Sequence, residues 1–298
     1  MSAAGDAPLG GPEPWPAPGK LNLFLHVVGR RADGYHLLQT AFQFIDLEDE
    51  LRFWRRPPGV VELCRPLPGV PPDSDLTVRA ARRLAAGRGP LPGVAIEVEK
   101  RLPMQGGVGG GSSDAATVLV ALNRLWRLGH TTDELARIGL ELGADVPVFV
   151  HGRAAWGEGV GEQLTPTDFP ERRYLLLQPD ARIATAEIFQ APELTRDSPA
   201  ITIPGFLAGQ SRNDCEPVVR RRFPEVAAAL DWLGRIGPAR LTGTGACAFA
   251  EVGDEAAARE AMERLPARWR AWLVTGRNRS PLADRLRREA SGTGAARC

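Results

Sequence analysis

Five glycines fall within six positions of this chain: Gly106, Gly107, Gly109, Gly110 and Gly111. A run like that has no side chains to bury, so it cannot form the interior of a core strand or helix. Its neighbours narrow the choice further. Residues 94–98 read as a strand, and residues 112–128 read as a helix with an Ala, Leu and Val face. The glycines therefore turn the chain from strand to helix. Backbone N–H groups at such a turn can converge on one point, and the unpaired N–H groups of the first helical turn add a positive dipole end. That arrangement suits phosphate; a flexible surface loop is the alternative. No lysine follows the glycines, so this is not a Walker A loop, and the spacing does not fit GxGxxG.

The rest of the chain also mixes strands and helices. Residues 21–27 alternate as a strand, and residues 37–53 read as a second, with a break expected near the acidic stretch 48–50. Prolines confine residues 57–72 to loop or short edge strand. Asp73, Ser74 and Asp75 offer a cap for a helix reaching about residue 86, and Thr131 with Glu134 spells a capping box for a helix over 133–142, which Pro147 is expected to close. Further on, helices are predicted at 184–189, 216–236 with an interruption at Pro224, and 254–265. Strands are predicted at 174–177, 246–252 and 271–275. Helices layered on a sheet make this an α+β, two-layer fold. At 298 residues two packed domains are expected. Residues 1–14, rich in Gly, Pro and Ala, are predicted to be disordered, and residues beyond 282 to fray.

Composition excludes several classes. A formal net charge of +1 argues against a protein built to grip nucleic acid or an anionic membrane. No apolar run approaches the about 18 residues of a membrane span, and the first fourteen residues lack the pattern of a secretory signal. The expectation is a soluble, cytoplasmic protein. Cys64, Cys215, Cys247 and Cys298 form no CxxC pair and the four histidines no HxxxH, so no protein metal site is expected and the thiols read as free. Only Lys20 and Lys100 among 37 basic residues are lysine, which raises the question of what needs a compact ammonium at those two positions.

Three other segments carry candidate chemistry. LTGTGACAF at 241–249 formally matches GxGxxA at Gly243, Gly245 and Ala248, but it runs into an alternating strand instead of a helix. A close backbone approach to a second part of a substrate, or a plain hairpin turn, fits better. GADVPVFVHG at 143–152 sets Asp145 between small residues, as a turn former or a functional carboxylate. PAPGKLNLFL at 16–25 puts Lys20 and Asn22 at the head of a strand.

In the order PAPGKLNLFLHVVGRRADGYH, LPMQGGVGGGSSDAA, LGADVPVFV, EGVGE, SRNDCE and LTGTGACAFAE, the chain resembles the GHMP kinase superfamily over residues 15–282. GRRADGYH and SRNDCE point within it to the branch acting on 4-diphosphocytidyl-2-C-methyl-D-erythritol. The resemblance implies an N-terminal domain like ribosomal protein S5 domain 2 over 15–165, and a ferredoxin-like, substrate-binding domain over 166–282. It implies transfer of the γ-phosphoryl of ATP to the substrate's 2-hydroxyl in the non-mevalonate isoprenoid pathway. Asp145 would take the hydroxyl proton, with Lys20 as its charge partner. Pro103, Met104, Gly106, Gly107 and Val108, followed by Gly109, Gly110, Gly111, Ser112 and Ser113, would surround the ATP phosphates. Tyr35 and Phe189 would sandwich cytosine while His36 reads its polar edge. Asn22 falls on an active-site Asn, and Thr242, Gly243, Thr244 and Gly245 would face the substrate diphosphate. ATP and Mg²⁺ are the implied cofactors and a small molecule the partner, with no nucleic acid or membrane; a monomer or weak homodimer is expected. Gln105 stands where the family usually has a further glycine, which would stiffen the loop's first turn.

Overall fold

The computed structural model describes residues 8–89 and 91–295, with side chains as far as residue 289. Strand β1, Trp15–Arg30, begins before the alternation that marks it and pairs antiparallel with β2, His36–Arg56. The break expected near residues 48–50 does not interrupt β2, but the strand bulges just before it, between Phe44 and Glu48. Glu48 and Glu50 pair across to Pro18 and Pro16, while Asp49 between them points inward and is fully buried. Between Pro18 and Lys20 one residue of β1 stands against three of β2, Ile45 to Leu47, while at the shifts after Asn22 and Val27 the extra residue lies in β1.

The proline-rich stretch yields only β3, Val61–Leu63, an edge strand parallel to β4, Gly93–Glu99. Asp75 caps α1, Leu76–Ala85, by accepting from the Thr77 N–H. Helix α2, Gly110–Leu125, starts inside the glycine run, two residues earlier than its composition indicates. Both halves of the capping box form on α3, Thr132–Leu140. Pro147 does not close a helix but opens one, α4, Val146–His151, because a first-turn residue needs no N–H. Strands β5, Ala155–Glu158, and β6, Gln163–Pro166, form a hairpin whose first strand pairs with β2.

The second half runs β7, Arg173–Gln178; α5, Thr185–Gln190; α6, Ile203–Leu207; and α7, Glu216–Arg222. Pro224 then starts α8, Pro224–Leu233, followed by β8, Ala239–Leu241, and β9, Ala248–Glu251. Helix α9, Glu255–Glu263, leads to β10, Arg270–Arg277, and α10, Pro281–Ala295. Its four strands lie in the order β10-β7-β9-β8, all antiparallel, which is the ferredoxin-like arrangement. The last residues of β10 also pair with β2, Gly276 opposite Ile45 and Arg277 opposite Phe44. One sheet path therefore joins both halves.

Three apolar clusters follow from the strand period of two. Phe44 and Leu51 pack under α1 to α4 with Leu119 and Phe149. Leu175 and Leu177 face α7 and α8 with Val218 and Leu230. Leu176 faces the other way, into a cluster with Phe24, Ile45 and Val274 that both halves build.

The ends differ from expectation. Leu9 is buried and donates its N–H to Phe53 O at 2.8 Å, so disorder does not extend through residues 8–14. Beyond residue 282, Leu286 packs on the first cluster, and Arg285, 6% exposed, pairs with Glu13 and lies 5.3 Å from the Trp15 ring. The expected disorder of residues 1–7, and Cys298, lie outside the described residues.

Candidate active site

The glycine turn is held by its own backbone. Lys20 N–H donates to Val108 O at 2.9 Å, Cys247 N–H to Gly106 O at 3.1 Å and Ala246 N–H to Gln105 O at 3.3 Å. The first ties the turn to β1, and the other two join the two glycine clusters. A Cβ on Gly107 would lie 2.3 Å from Thr242 O, so only glycine fits there. Gly109 has φ +74°, and a Cβ there would strike the Phe149 ring at 2.8 Å. The first helical bond of α2 runs from Ser113 N–H to Gly109 O. By helix geometry the N–H groups of Gly110, Gly111 and Ser112 have no intrahelical partner, and all three residues line a cleft of about 1060 Å³.

Lys20 stands beside this turn, 3% exposed, over the ring of Phe42. Its ammonium has three donors and three acceptors around it. Asp145 Oδ2 is at 3.2 Å, Asn22 Oδ1 at 2.5 Å and Gly107 O at 3.2 Å. Asn22 is oriented in turn by donating from Nδ2 to Thr40 Oγ1 at 2.9 Å, and Thr40 donates to Phe24 O. Asp145 begins α4 without capping it, and its carboxylate is 35% exposed towards the cleft. A carboxylate, an ammonium and a row of free N–H groups thus converge on one space.

The far end of the cleft is aromatic. His36, first residue of β2, stacks on Phe189 of α5 with centroids 5.2 Å apart and planes 27° from parallel. Burial, then the nearby Arg196 and Arg30, holds the His36 ring below its ordinary pKa. Tyr35 is 65% exposed at the rim and makes no ring contact with Phe189 among the described residues; Phe189 meets His36 instead. Gly243 and Thr244 line the cleft, with Thr244 Oγ1 3.1 Å from Thr185 Oγ1.

Several sequence-selected residues sit behind the surface. Val108 and Ser113 are buried and do not line the cleft, while Pro103, Met104 and Gly106 do. Thr242 is buried and braces the turn, donating to Gly107 O and accepting from Asn22 N–H. Gly245 opens on a smaller neighbouring pocket with Arg182 and Glu187.

Other residues carried no sequence signal of their role. Lys100 Nζ bonds Asp114 Oδ2 at 2.7 Å and also Asp49, next to the start of α2. Asp49 Oδ1 accepts the N–H groups of Arg101 and Leu102, fixing the approach to the glycine turn. The SRNDCE segment is a brace. Asn213 Nδ2 donates to Leu241 O and Gly243 O, both at 2.8 Å, and Asp214 accepts from Val27 N–H of β1 and from Ser198. Among the described residues no group of three His, Cys, Asp or Glu is placed to hold a metal ion, and no helix is long and apolar enough to cross a membrane.

The chain is similar to known proteins over both of its halves. The GHMP kinases N terminal domain family matches residues 75–153 and the GHMP kinases C terminal family residues 203–271. A 4-diphosphocytidyl-2-C-methyl-D-erythritol kinase of Halorhodospira halophila is 61% identical over 94% of this chain and 98% of its own. One from Pseudomonas aeruginosa is 57% identical over 91% and 96%. A crystal structure of 4-(cytidine 5'-diphospho)-2C-methyl-D-erythritol kinase superposes with a TM-score of 0.76 at 34% identity, covering 88% of this chain and 98% of that one. A mevalonate kinase, at 16% identity and TM-score 0.66, shares the fold. With this fold, this cleft and identity of that extent, the chain belongs to the 4-diphosphocytidyl-2-C-methyl-D-erythritol kinases of the GHMP kinase superfamily.

Proposed function

We propose that this chain transfers the γ-phosphoryl of ATP to the 2-hydroxyl of 4-diphosphocytidyl-2-C-methyl-D-erythritol, with Asp145 as the base. The observation that carries the reading is the Lys20 ammonium, which touches the Asp145 carboxylate and the glycine-turn backbone at once. A loose phosphoryl-transfer transition state needs alignment and positive charge more than covalent help. The N–H groups opening α2 hold the polyphosphate. Asp145 takes the proton as the hydroxyl oxygen bonds to phosphorus and the bond to the β-phosphate oxygen breaks, releasing ADP. Lys20 stays between carboxylate and phosphoryl and offsets charge on both.

The cytidylyl end lies against His36, Phe189 and Tyr35, and Gly243 to Thr244 approach the substrate diphosphate. In this reading the first half of the chain, 15–165, supplies the nucleotide site, and 166–282 closes the substrate side. Mg²⁺ fits the cleft beside the turn, where the Ser112 hydroxyl is a hard oxygen donor. When bound it would neutralise phosphate charge, with the nucleotide oxygens as its remaining ligands.

The test is ADP release from Mg-ATP with the cytidylyl compound, mevalonate and homoserine in parallel, and Asp145→Asn as control. Turnover confined to the cytidylyl compound and lost in the variant is expected. Turnover of another alcohol in its place would refute the substrate, and an active variant the base.

A further inference from the structure

We infer that Arg196 is a positioning residue: it fixes His36 as the neutral tautomer with its proton on Nδ1 and holds Phe189 against that ring. Arg196 follows α5 in the chain, and its guanidinium is spent on neighbours without any carboxylate among its hydrogen bonds. Nε donates to His36 Nε2 at 3.1 Å. Nη2 donates to Ala191 O at 2.7 Å and Phe189 O at 3.1 Å. Nη1 donates to Leu194 O at 2.9 Å and, more weakly, to Pro192 O at 3.5 Å. One side chain thus ties the C-terminal end of α5 to the first residue of β2.

The chemistry of the His36 contact has one solution. A guanidinium keeps its protons and cannot accept, so the Nε2 facing it carries a lone pair. The proton of a neutral imidazole then sits on Nδ1, the opposite of the form that prevails in water. The second polar atom of the ring becomes a donor, on a residue that lines the cleft. A wall with a donor there suits a ring carbonyl or an unprotonated ring nitrogen and leaves an amine edge unmatched. Phe189 supplies the apolar face at a fixed distance, because the carbonyls at the end of its helix are held by the same guanidinium. The tautomer stands on geometry alone; its use in reading a pyrimidine rests on the cytidylyl substrate proposed above.

The experiment uses the full chain with ¹⁵N-labelled histidine. Only His26, His36, His130 and His151 contribute, and His36→Gln assigns the fourth signal. Long-range ¹H–¹⁵N spectra at pH 7.5 should show His36 protonated on Nδ1 and bare on Nε2. Protonation on Nε2 in the unaltered chain overturns the proposal without any variant. Arg196→Met should move the proton to Nε2, and an unmoved tautomer also overturns it. In kinetics the same variant should raise KM for the cytidylyl compound about tenfold, with KM for ATP within about twofold. An equal rise in both KM values would reduce Arg196 to general support and overturn the positioning role. Arg196→Lys, which keeps a cationic donor, should recover part of the loss if the Met variant folds poorly. Should the unaltered chain ignore the cytidylyl compound, the substrate reading fails while the spectra still judge Arg196.

Discussion

Lys100 Nζ lies 2.7 Å from the Asp114 carboxylate in the interior beneath the glycine turn, and Asp49 occupies a second side of the same ammonium. One lysine faces two buried acids. Burial pushes the Asp114 carboxyl up to about 7, against the pull of Lys100 and with Asp49 adding to the rise. An unfolded carboxyl titrates near about 4, so between those values the folded chain holds a proton that the unfolded chain lacks. Stability from this group falls as pH rises through that window. Lys100, raised above its ordinary value near 10.5, contributes no slope there. Asp114→Asn should flatten the pH dependence of the urea midpoint between pH 4 and 7, by a slope below about 1.4 kcal/mol per unit. Parallel curves for the two proteins would remove Asp114 from the account.

Asp145→Asn should lower kcat by about 10²–10⁴-fold while leaving nucleotide binding nearly unchanged, since the amide cannot take the proton but keeps the shape. Stopped-flow or coupled ADP assays at saturating substrate read the first, and nucleotide titration the second. A kcat within a few-fold of the parent would exclude Asp145 as the base.

Gln105 sits at φ +55°, in the left-handed region where a side chain costs about 1–2 kcal/mol. The resemblance to a glycine-bearing family anticipates a stiffer turn, and the backbone shows its form. Gln105→Gly should relieve the strain, offset by about 0.5–1 kcal/mol of extra freedom in the unfolded chain. The net expectation is a gain of up to about 1 kcal/mol in equilibrium unfolding, with a larger KM for ATP from a looser turn. A clear loss of stability would mean that the side chain packs usefully where it stands.

Asn213→Ala strips two buried carbonyls, Leu241 O and Gly243 O, of their donor. Unsatisfied buried groups cost about 1–3 kcal/mol each, so a loss of about 2–6 kcal/mol in urea unfolding is expected. The second glycine cluster should loosen with it, visible as faster amide exchange around residues 242–245. Unchanged exchange there would show that Asn213 is not its support.

Tyr35→Ala should raise KM for the cytidylyl compound several-fold and leave KM for ATP alone. Tyr35 stands exposed at the rim, so its removal disturbs no core. Equal effects on both substrates would end its assignment to the base.

What could be read in the sequence was local or carried by a motif. Thr131 with Glu134, and Asp75 before its helix, act within three residues, and both caps form as their spelling indicates. Pro147 misled because proline can close one helix or open another, and the valines after it resemble a strand. The acidic stretch 48–50 suggested a break because Asp49 looks like a surface charge until Lys100, 51 positions away, is beside it. The scarcity of lysine singled out Lys20 and Lys100 together, yet only Lys20 acquired a role, since no motif announces a lysine between two buried acids. Arg196 left no trace at all. Four of its partners are backbone carbonyls, which any residue supplies.

The strand that joins both halves of the sheet is also the last strand in the chain. During synthesis from the N-terminus, β2 and β7 must wait for their shared neighbour until residue 277 has emerged, and Trp15 waits longer for Arg285 to cover it. Neither half can finish its edge early and commit to a partner of its own. The join between the halves is thus completed late, and a chain cut short before β10 should leave β2 and β7 each without that neighbour.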